Sequence, residues 1–333
     1  MDKIIEGYYI KYLGREADSG GLNYYKGLVF GGKTLFDIEE MISTSEEAQN
    51  YVPEEPTKLG EPAKRYATRA EAAGKPWIID TGAYLAWQAG WTGKGVTIGV
   101  LDWFEGGTHG DNTSRVAQDV APDATVRDYP VFDAKGKFIP FSYGAQLLQA
   151  GKDGCNVINM SVGAYGAALA QPNSAIRYIL KTYDMMFVLS SGNDFNFPAG
   201  KNNGGDGLTP QETNYYALSS VADEETRNHT IVVGSVDNNN RGEFGSGKAG
   251  ITKDFYVCAE DDLKHFGNTG KFEGTSFAAP RVAGLVAILR HKYPEATAPE
   301  IQRLLLDTCQ DIGEPMVYGC GKVDILSAIH KEL

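Results

Sequence analysis

The sequence predicts an α/β protein, with a mostly parallel sheet between helices and a small all-α module ahead of it. Three observations carry this reading. Downstream of residue 77, short apolar runs rich in Val and Ile alternate with stretches of helical periodicity, as parallel strands covered on both faces do. The segment FAAPRVAGLVAIL (277–289) has apolar side chains at three- and four-residue spacings and little but Gly, one Pro and one Arg between them, so it reads as a helix buried nearly all round. The first fifty residues carry helical periodicity alone.

Residues 1–52 form the predicted helical module. Ile4, Ile5, Tyr8, Tyr9, Tyr12 and Leu13 share one face, and Leu35, Ile38, Met41 and Ile42 form a second periodic set. Between them GREADSGGLNYY reads as a turn rich in Gly and Asp. Residues 53–76 carry PEEP, GEP and GKP with few large apolar side chains, and are assigned as a linker. The main domain then runs from 77 to 333.

Its strands are GVTIGVLD (95–102), ATVRDYPVF (124–132), NVINMS (156–161), MMFVLSSGN (185–193), TIVVGS (230–235) and FYVCA (255–259). Helices are expected over SYGAQLLQAGKDG, with Ser142 as its cap, over NSAIRYILKTYD, and over TAPEIQRLLLDTC, where Thr297 and Glu300 have capping-box spacing. Pro280 fits the apolar helix only in its first turn, where a missing N–H costs nothing, so that helix should begin close to Ser276.

Composition narrows the functional classes. The net charge is −12 and no dense Lys/Arg run occurs, which argues against nucleic acid or an anionic membrane as partner. The amino-terminal MDKIIEGYYIKYLGRE places charges inside its apolar pattern and reads as an amphipathic helix, not a signal peptide. No apolar run is long enough to cross a bilayer. The four cysteines lack CxxC or His pairing, so a zinc site is not expected; Cys155 and Cys258 fall in apolar runs, and Cys309 and Cys320 flank a loop that a disulfide could or could not close. NNGGDG (202–207) and the Asp261–Asp262 pair are candidate calcium loops, with solvated turns the plainer alternative.

Polar residues at strand ends are where a parallel sheet places its chemistry. Asp102 closes the first strand, and His109 follows seven residues later in GTHGDNTSRVAQDVAPDA, where Val116 and Val120 repeat at helical spacing. Ser276 stands at the threshold of the apolar helix. Asp, His, Ser is one of the chain orders in which a nucleophilic triad occurs. A serine hydroxyl is a weak nucleophile at neutral pH, so a neutral imidazole must take its proton and a buried carboxylate must hold the tautomer. Asn193, at the exit of MMFVLSSGN, is an amide that could hold an oxyanion. Taken singly, Asp102 reads as a strand-end cap, Asn193 as a turn residue, His109 as a surface histidine and Ser276 as a helix cap. Their joint appearance in order favours a catalytic reading.

The segments VTIGVLD, THG with a following VAPDA, NVINMSVG, SSGN, IVVGSVD and GTSFAAPRVAGLVAIL, in that order over about 77–333, resemble the subtilisin-like serine proteases. The resemblance implies a subtilisin-like three-layer fold and a serine endopeptidase acting through an acyl-enzyme, with Ser276 as nucleophile, His109 as general base, Asp102 as its orienter and Asn193 as oxyanion donor. Ser161, Val162 and Gly163 match the edge segment on which an extended polypeptide substrate pairs. No cofactor is implied for catalysis, and structural calcium is compatible with the family. The chain departs from the family pattern where Trp103 and Phe104 follow the acid, where only seven residues separate Asp102 from His109, and where Arg281 replaces a common His. A scaffold of the same fold without catalysis, and an esterase with the same triad, are the rival readings. GREADSGGLNYY resembles a short repeat-like module of secreted and surface-layer-associated bacterial proteins, which implies export without a classical signal peptide, or attachment to a surface or particle.

Overall fold

A computed structural model of the protein describes residues 5, 8–9, 12–13, 15, 17–31, 33, 35–50, 78, 81–106, 108–139, 142–163, 174–193, 214–236, 240, 246–261 and 274–333. The chain divides into two compact units, Met1–Thr57 and Lys58–Leu333.

In the smaller unit, helices α1 (Ser19–Phe30), α2 (Leu35–Ser43) and α3 (Glu46–Asn50) share an apolar cluster of Ile5, Tyr9, Tyr12, Leu13, Ile38 and Ile42. The stretch expected to be a turn is largely α1. Asp18 caps it, its carboxylate accepting from the Gly21 N–H at 2.8 Å, so the Gly and Asp that suggested a turn mark a helix start instead. Arg15 grips Glu47 through two bonds, Nε to Oε1 at 2.6 Å and Nη2 to Oε2 at 3.0 Å.

Among the described residues the larger unit is a six-stranded sheet, parallel throughout, flanked by helices. In chain order come α4 (Ala83–Gln88), β1 (Thr97–Asp102), α5 (His109–Val120), β2 (Thr125–Pro130), α6 (Ser142–Lys152), β3 (Val157–Met160), α7 (Ser174–Thr182), β4 (Met186–Ser190), α8 (Tyr215–Ala222), β5 (Thr230–Val236), β6 (Tyr256–Glu260), α9 (Thr275–Lys292), α10 (Ala298–Asp307), α11 (Pro315–Tyr318) and α12 (Ile325–His330). The strand order is β2-β1-β3-β4-β5-β6, and every pair is parallel. β1, β3, β4, β5 and β6 are apolar over most of their length because both faces are covered, which is why they read as continuous runs and not as alternation. The order reverses between β1 and β3. At such a switch point the loops leaving two neighbouring strands part to opposite faces, and a crevice opens at the strand carboxyl ends.

Two apolar layers sandwich the sheet. One is built on α5 and α9 around Val116, Val120, Val282, Leu285, Val286 and Leu289; the other on α6 and α7 around Leu147, Ile179, Leu180 and Phe187. Each large aliphatic side chain taken fully out of water contributes roughly 1.5–3 kcal/mol, so α9 is held by its packing on every side. α5 and α9 cross closely: a Cβ at Gly284 would lie 2.6 Å from the Val120 Cβ. The small residue in the AGLVA stretch is what lets the two backbones approach.

Two local expectations need correction, and one helix had no expectation. Pro280 lies inside α9, beyond its first turn, because the helix already begins at Thr275. Ser142 is the first helical residue of α6 and its hydroxyl donates backward to the Ile139 carbonyl at 2.7 Å, so it is not the cap that accepts from the helix. α8 carried no recognised sequence signal; Asn214 caps it, accepting from the Tyr216 N–H at 3.2 Å. The expected capping box of Thr297 and Glu300 is present on α10.

Candidate active site

Asp102 ends β1 and is buried, 2 % exposed, beside the crevice at the switch point. Its carboxylate meets His109, the first residue of α5: His109 Nδ1 lies 2.9 Å from Oδ1 and 2.8 Å from Oδ2. The connecting loop turns back on itself to permit this. The Trp103 N–H donates to Asp102 Oδ1 at 2.8 Å, while the Trp103 carbonyl accepts from the Gly110 N–H at 2.9 Å and from Thr108 Oγ1 at 2.6 Å. Thr108 and Asp111 close a capping box that starts α5 in register. The seven-residue spacing is therefore enough to join strand end to helix start.

With Nδ1–H donating to the carboxylate, the Nε2 lone pair is the one left for a substrate-side proton. Thr113 Oγ1, one turn along α5 and fully buried, stands 3.3 Å from Asp102 Oδ2. The imidazole is about one-third exposed and packs on Phe277, ring centroids 5.3 Å apart, so one face is fixed by α9 while the side chain still reaches solvent.

Ser276 is the second residue of α9. Its N–H belongs to the first turn, where no intrahelical acceptor exists and the positive end of the helix dipole lies. The Ser276 hydroxyl donates to the Ser161 carbonyl at 3.1 Å, and Ser161 Oγ donates to the Ser276 carbonyl at 2.8 Å. Asn159 Nδ2, buried in β3, supports that hydroxyl at 3.1 Å.

Asn193 follows β4 and stands across the start of α9. Its Oδ1 accepts from the Thr275 N–H at 2.9 Å and from Thr275 Oγ1 at 3.1 Å, which sets the carbonyl end of the amide against the start of α9. Gly274 makes this approach possible. Its φ of 122° lies where side chains are rarely found, and a Cβ there would stand 2.8 Å from both polar atoms of the Asn193 amide. Ser161, Val162 and Gly163 continue β3 past its neighbours, and among the described residues no strand pairs with them. Asn214 braces this segment, its Nδ2 donating to the Ser190 carbonyl at 2.7 Å and to the Val162 carbonyl at 3.3 Å.

All seven predicted site residues thus lie at the carboxyl ends of β1, β3 and β4 or at the starts of α5 and α9. Sequence reasoning missed Asn214, whose N-cap role was the available signal, and Thr275. It also misjudged Asp261, read as part of a calcium loop or solvated turn: this carboxylate is buried and accepts from Ser235 Oγ and the Gly274 N–H. Residues 202–207 and Asp262 lie outside the described residues. His229 is buried against the Met185 carbonyl at 3.1 Å. Cys309 and Cys320 are free thiols bonded to the Leu305 and Lys253 carbonyls. Among the described residues no group of three or more His, Cys, Asp or Glu could hold a metal ion, and no described helix is long and apolar enough to cross a membrane.

Comparison with known proteins gives a consistent picture. The chain is 28% identical over 175 residues to the Neisserial autotransporter lipoprotein NalP of Neisseria meningitidis serogroup B, a match covering 46% of this chain but only 15% of that protein's length. It is 27% identical over 292 residues to Subtilisin BL of Lederbergia lenta, covering 76% of this chain and 98% of the relative. Among solved structures, the Prenylagaramide maturation protease PagA superposes with a TM-score of 0.60 at 21% identity, over 75% of this chain and 97% of that one, which shows a shared fold. Residues 106–321, most of the larger unit, match the subtilase family model, and the chain belongs to the subtilase family of serine endopeptidases.

Proposed function

We propose that this protein hydrolyses peptide bonds through an acyl-enzyme, with Ser276 as nucleophile, His109 as general base and acid, Asp102 as the orienter of His109, and Asn193 Nδ2 with the Ser276 N–H as oxyanion donors. The observation that carries the reading is the buried Asp102 carboxylate held against His109 Nδ1 at 2.8 Å, with His109 packed on the residue next to Ser276. In the reaction the Ser276 hydroxyl leaves the Ser161 carbonyl and turns to His109 Nε2, which takes its proton as Oγ attacks the scissile carbonyl. The tetrahedral oxyanion is met by the two donors, the proton passes from His109 to the leaving amine, and water repeats the sequence on the acyl-enzyme.

A polypeptide is the substrate class, not a simple ester, because Ser161–Gly163 runs on from β3 beside Ser276 and, among the described residues, no strand pairs with it. The kinship with subtilisins favours action outside the cell, and the compact unit Met1–Thr57 is assigned a role in surface or particle attachment. Calcium is left as a structural ligand to be tested, not as a catalytic one.

The test is fluorophosphonate labelling followed by peptide mapping, alongside hydrolysis of an unstructured protein. Labelling at Ser276, lost together with proteolysis in a folded Ser276→Ala variant, is the expected result. Unchanged proteolysis in that variant overturns the assignment. For the smaller unit, a chain starting at Trp77 is expected to fold and hydrolyse peptides at unchanged specific activity; failure to fold, or many-fold activation, would make that unit a folding aid or an inhibitor.

A further inference from the structure

We propose that Asp261 is a positioning residue for the nucleophile: its carboxylate fixes Gly274, and through it Thr275, Ser276 and Asn193, in the geometry that hydrolysis needs. The proposal rests on the assignment of Ser276 as nucleophile. Asp261 is the first residue beyond β6 and is 2 % exposed. Its Oδ2 accepts from the Gly274 N–H and from Ser235 Oγ, both at 2.6 Å, the short distance of bonds to a charged acceptor.

These bonds close a ring. Ser235, on β5, donates its N–H to Ser246 Oγ at 2.9 Å. Ser246 pairs with Asn193 in an isolated antiparallel bridge. Asn193 Oδ1 accepts from Thr275, and Thr275 is joined covalently to Gly274, whose N–H returns to Asp261. The oxyanion amide and the residue before the nucleophile are thus members of one circuit, and Asp261 is its only carboxylate.

Stability alone does not account for an acid at this place. Burying a carboxylate carries a desolvation penalty, and a neutral side chain would fill the volume without it. What the carboxylate adds is a strong hold on a glycine, the residue with the most backbone freedom to lose. Gly274 sits at φ 122° and ψ 175°, directly ahead of the helix turn that carries Ser276. A nucleophile displaced by about 1 Å loses rate on the order of a hundredfold, so anchoring this glycine acts on turnover.

The experiment compares wild type, Asp261→Asn and Asp261→Ala by kcat and KM on a peptide substrate, by fluorophosphonate labelling rate at Ser276, and by thermal midpoint. Asp261→Asn keeps the shape, and its Oδ1 in the place of Oδ2 can still accept from both donors, but the charge that strengthens those bonds is lost. Its kcat and labelling rate are expected to fall together by at least about tenfold, with KM within about twofold and a folded protein; Asp261→Ala should fall further. A folded Asp261→Asn with wild-type kcat, or with an effect confined to KM, overturns the proposal. So does an Asp261→Asn protein that fails to fold, since Asp261 would then be a stability residue. Absence of labelling at Ser276 in wild type would instead overturn the nucleophile assignment itself.

Discussion

Ser161 and Ser276 are bonded to each other twice, each hydroxyl donating to the other's backbone carbonyl, at 3.1 Å from Ser276 and 2.8 Å from Ser161. The second bond depends on Pro280. In a helix the carbonyl of residue 276 would accept from the N–H of residue 280, and proline has none. The free carbonyl is taken by Ser161, which ties the start of α9 to the end of β3. A proline that would weaken an exposed helix here joins Ser276, the proposed nucleophile, to the segment proposed to hold the substrate.

Ser161→Ala should therefore weaken the start of α9 without touching the carbonyl that receives the Ser276 hydroxyl. A loss of about 1–3 kcal/mol is expected from leaving the Ser276 carbonyl unsatisfied, read by denaturant unfolding, with reduced kcat. Wild-type stability would mean that water or a rearranged side chain replaces the bond.

Asp102→Asn should leave the fold intact and lower kcat by about 10⁴, the effect of an amide that favours the wrong imidazole tautomer in a triad of this kind. Steady-state kinetics on a peptide substrate checks it. Near-normal turnover would remove Asp102 from the mechanism.

Asn193→Ala is expected to cost about 10²–10³ in kcat with little change in KM, the magnitude known from removing an oxyanion donor in subtilisin. The amide also orders Thr275 through Oδ1, so the thermal midpoint should be followed in parallel. An effect confined to KM would point to a ground-state contact.

Gly284→Ala places a methyl group 2.6 Å from the Val120 Cβ and 3.1 Å from the Ala117 carbonyl, where α5 meets α9. Overpacking of about 1–3 kcal/mol is expected. Because His109 and Ser276 ride on these two helices, activity should fall as well, measurable as kcat on folded protein well below its melting temperature. A variant with unchanged stability and rate would show that the crossing has slack.

Burial lowers the His229 pKa below its ordinary value, against a smaller opposing effect of its bond to the Met185 carbonyl. Asp184 favours the charged ring, while Arg290 and Lys181 disfavour it. The unfolded chain then binds more protons than the native one between the folded pKa and about 6.5, so stability rises with pH across that window and is lost as pH falls through it, with no further change from this group below the folded pKa. Chemical unfolding at pH 7.5 and 5 should show this, and His229→Gln should flatten that part of the slope. An unchanged slope in His229→Gln would assign the acid sensitivity to other groups.

The sequence by itself determined the strands, the buried helix and the order Asp102, His109, Asn193, Ser276 along the chain. Each depends on residues within a few positions of one another: β-branched apolar runs, three- and four-residue apolar spacing, and polar residues placed where those runs end. Alternation of such elements leaves few architectures besides a parallel sheet covered on both faces. Tertiary structure alone decided what those ends meet. The Ser161–Ser276 exchange spans 115 residues, and Asn193 to Thr275 spans 82. Local pattern misread the neighbouring features for the same reason. Asp261 follows a strand in a way typical of solvated turns, yet folding carries Gly274 and Ser235 onto its carboxylate. Pro280 looked like a first-turn residue because sequence periodicity does not reveal that a serine from β3 will satisfy the carbonyl it leaves open. Periodicity reports the geometry of one segment at a time; a hydrogen bond between segments exists only once packing has set the distance between them.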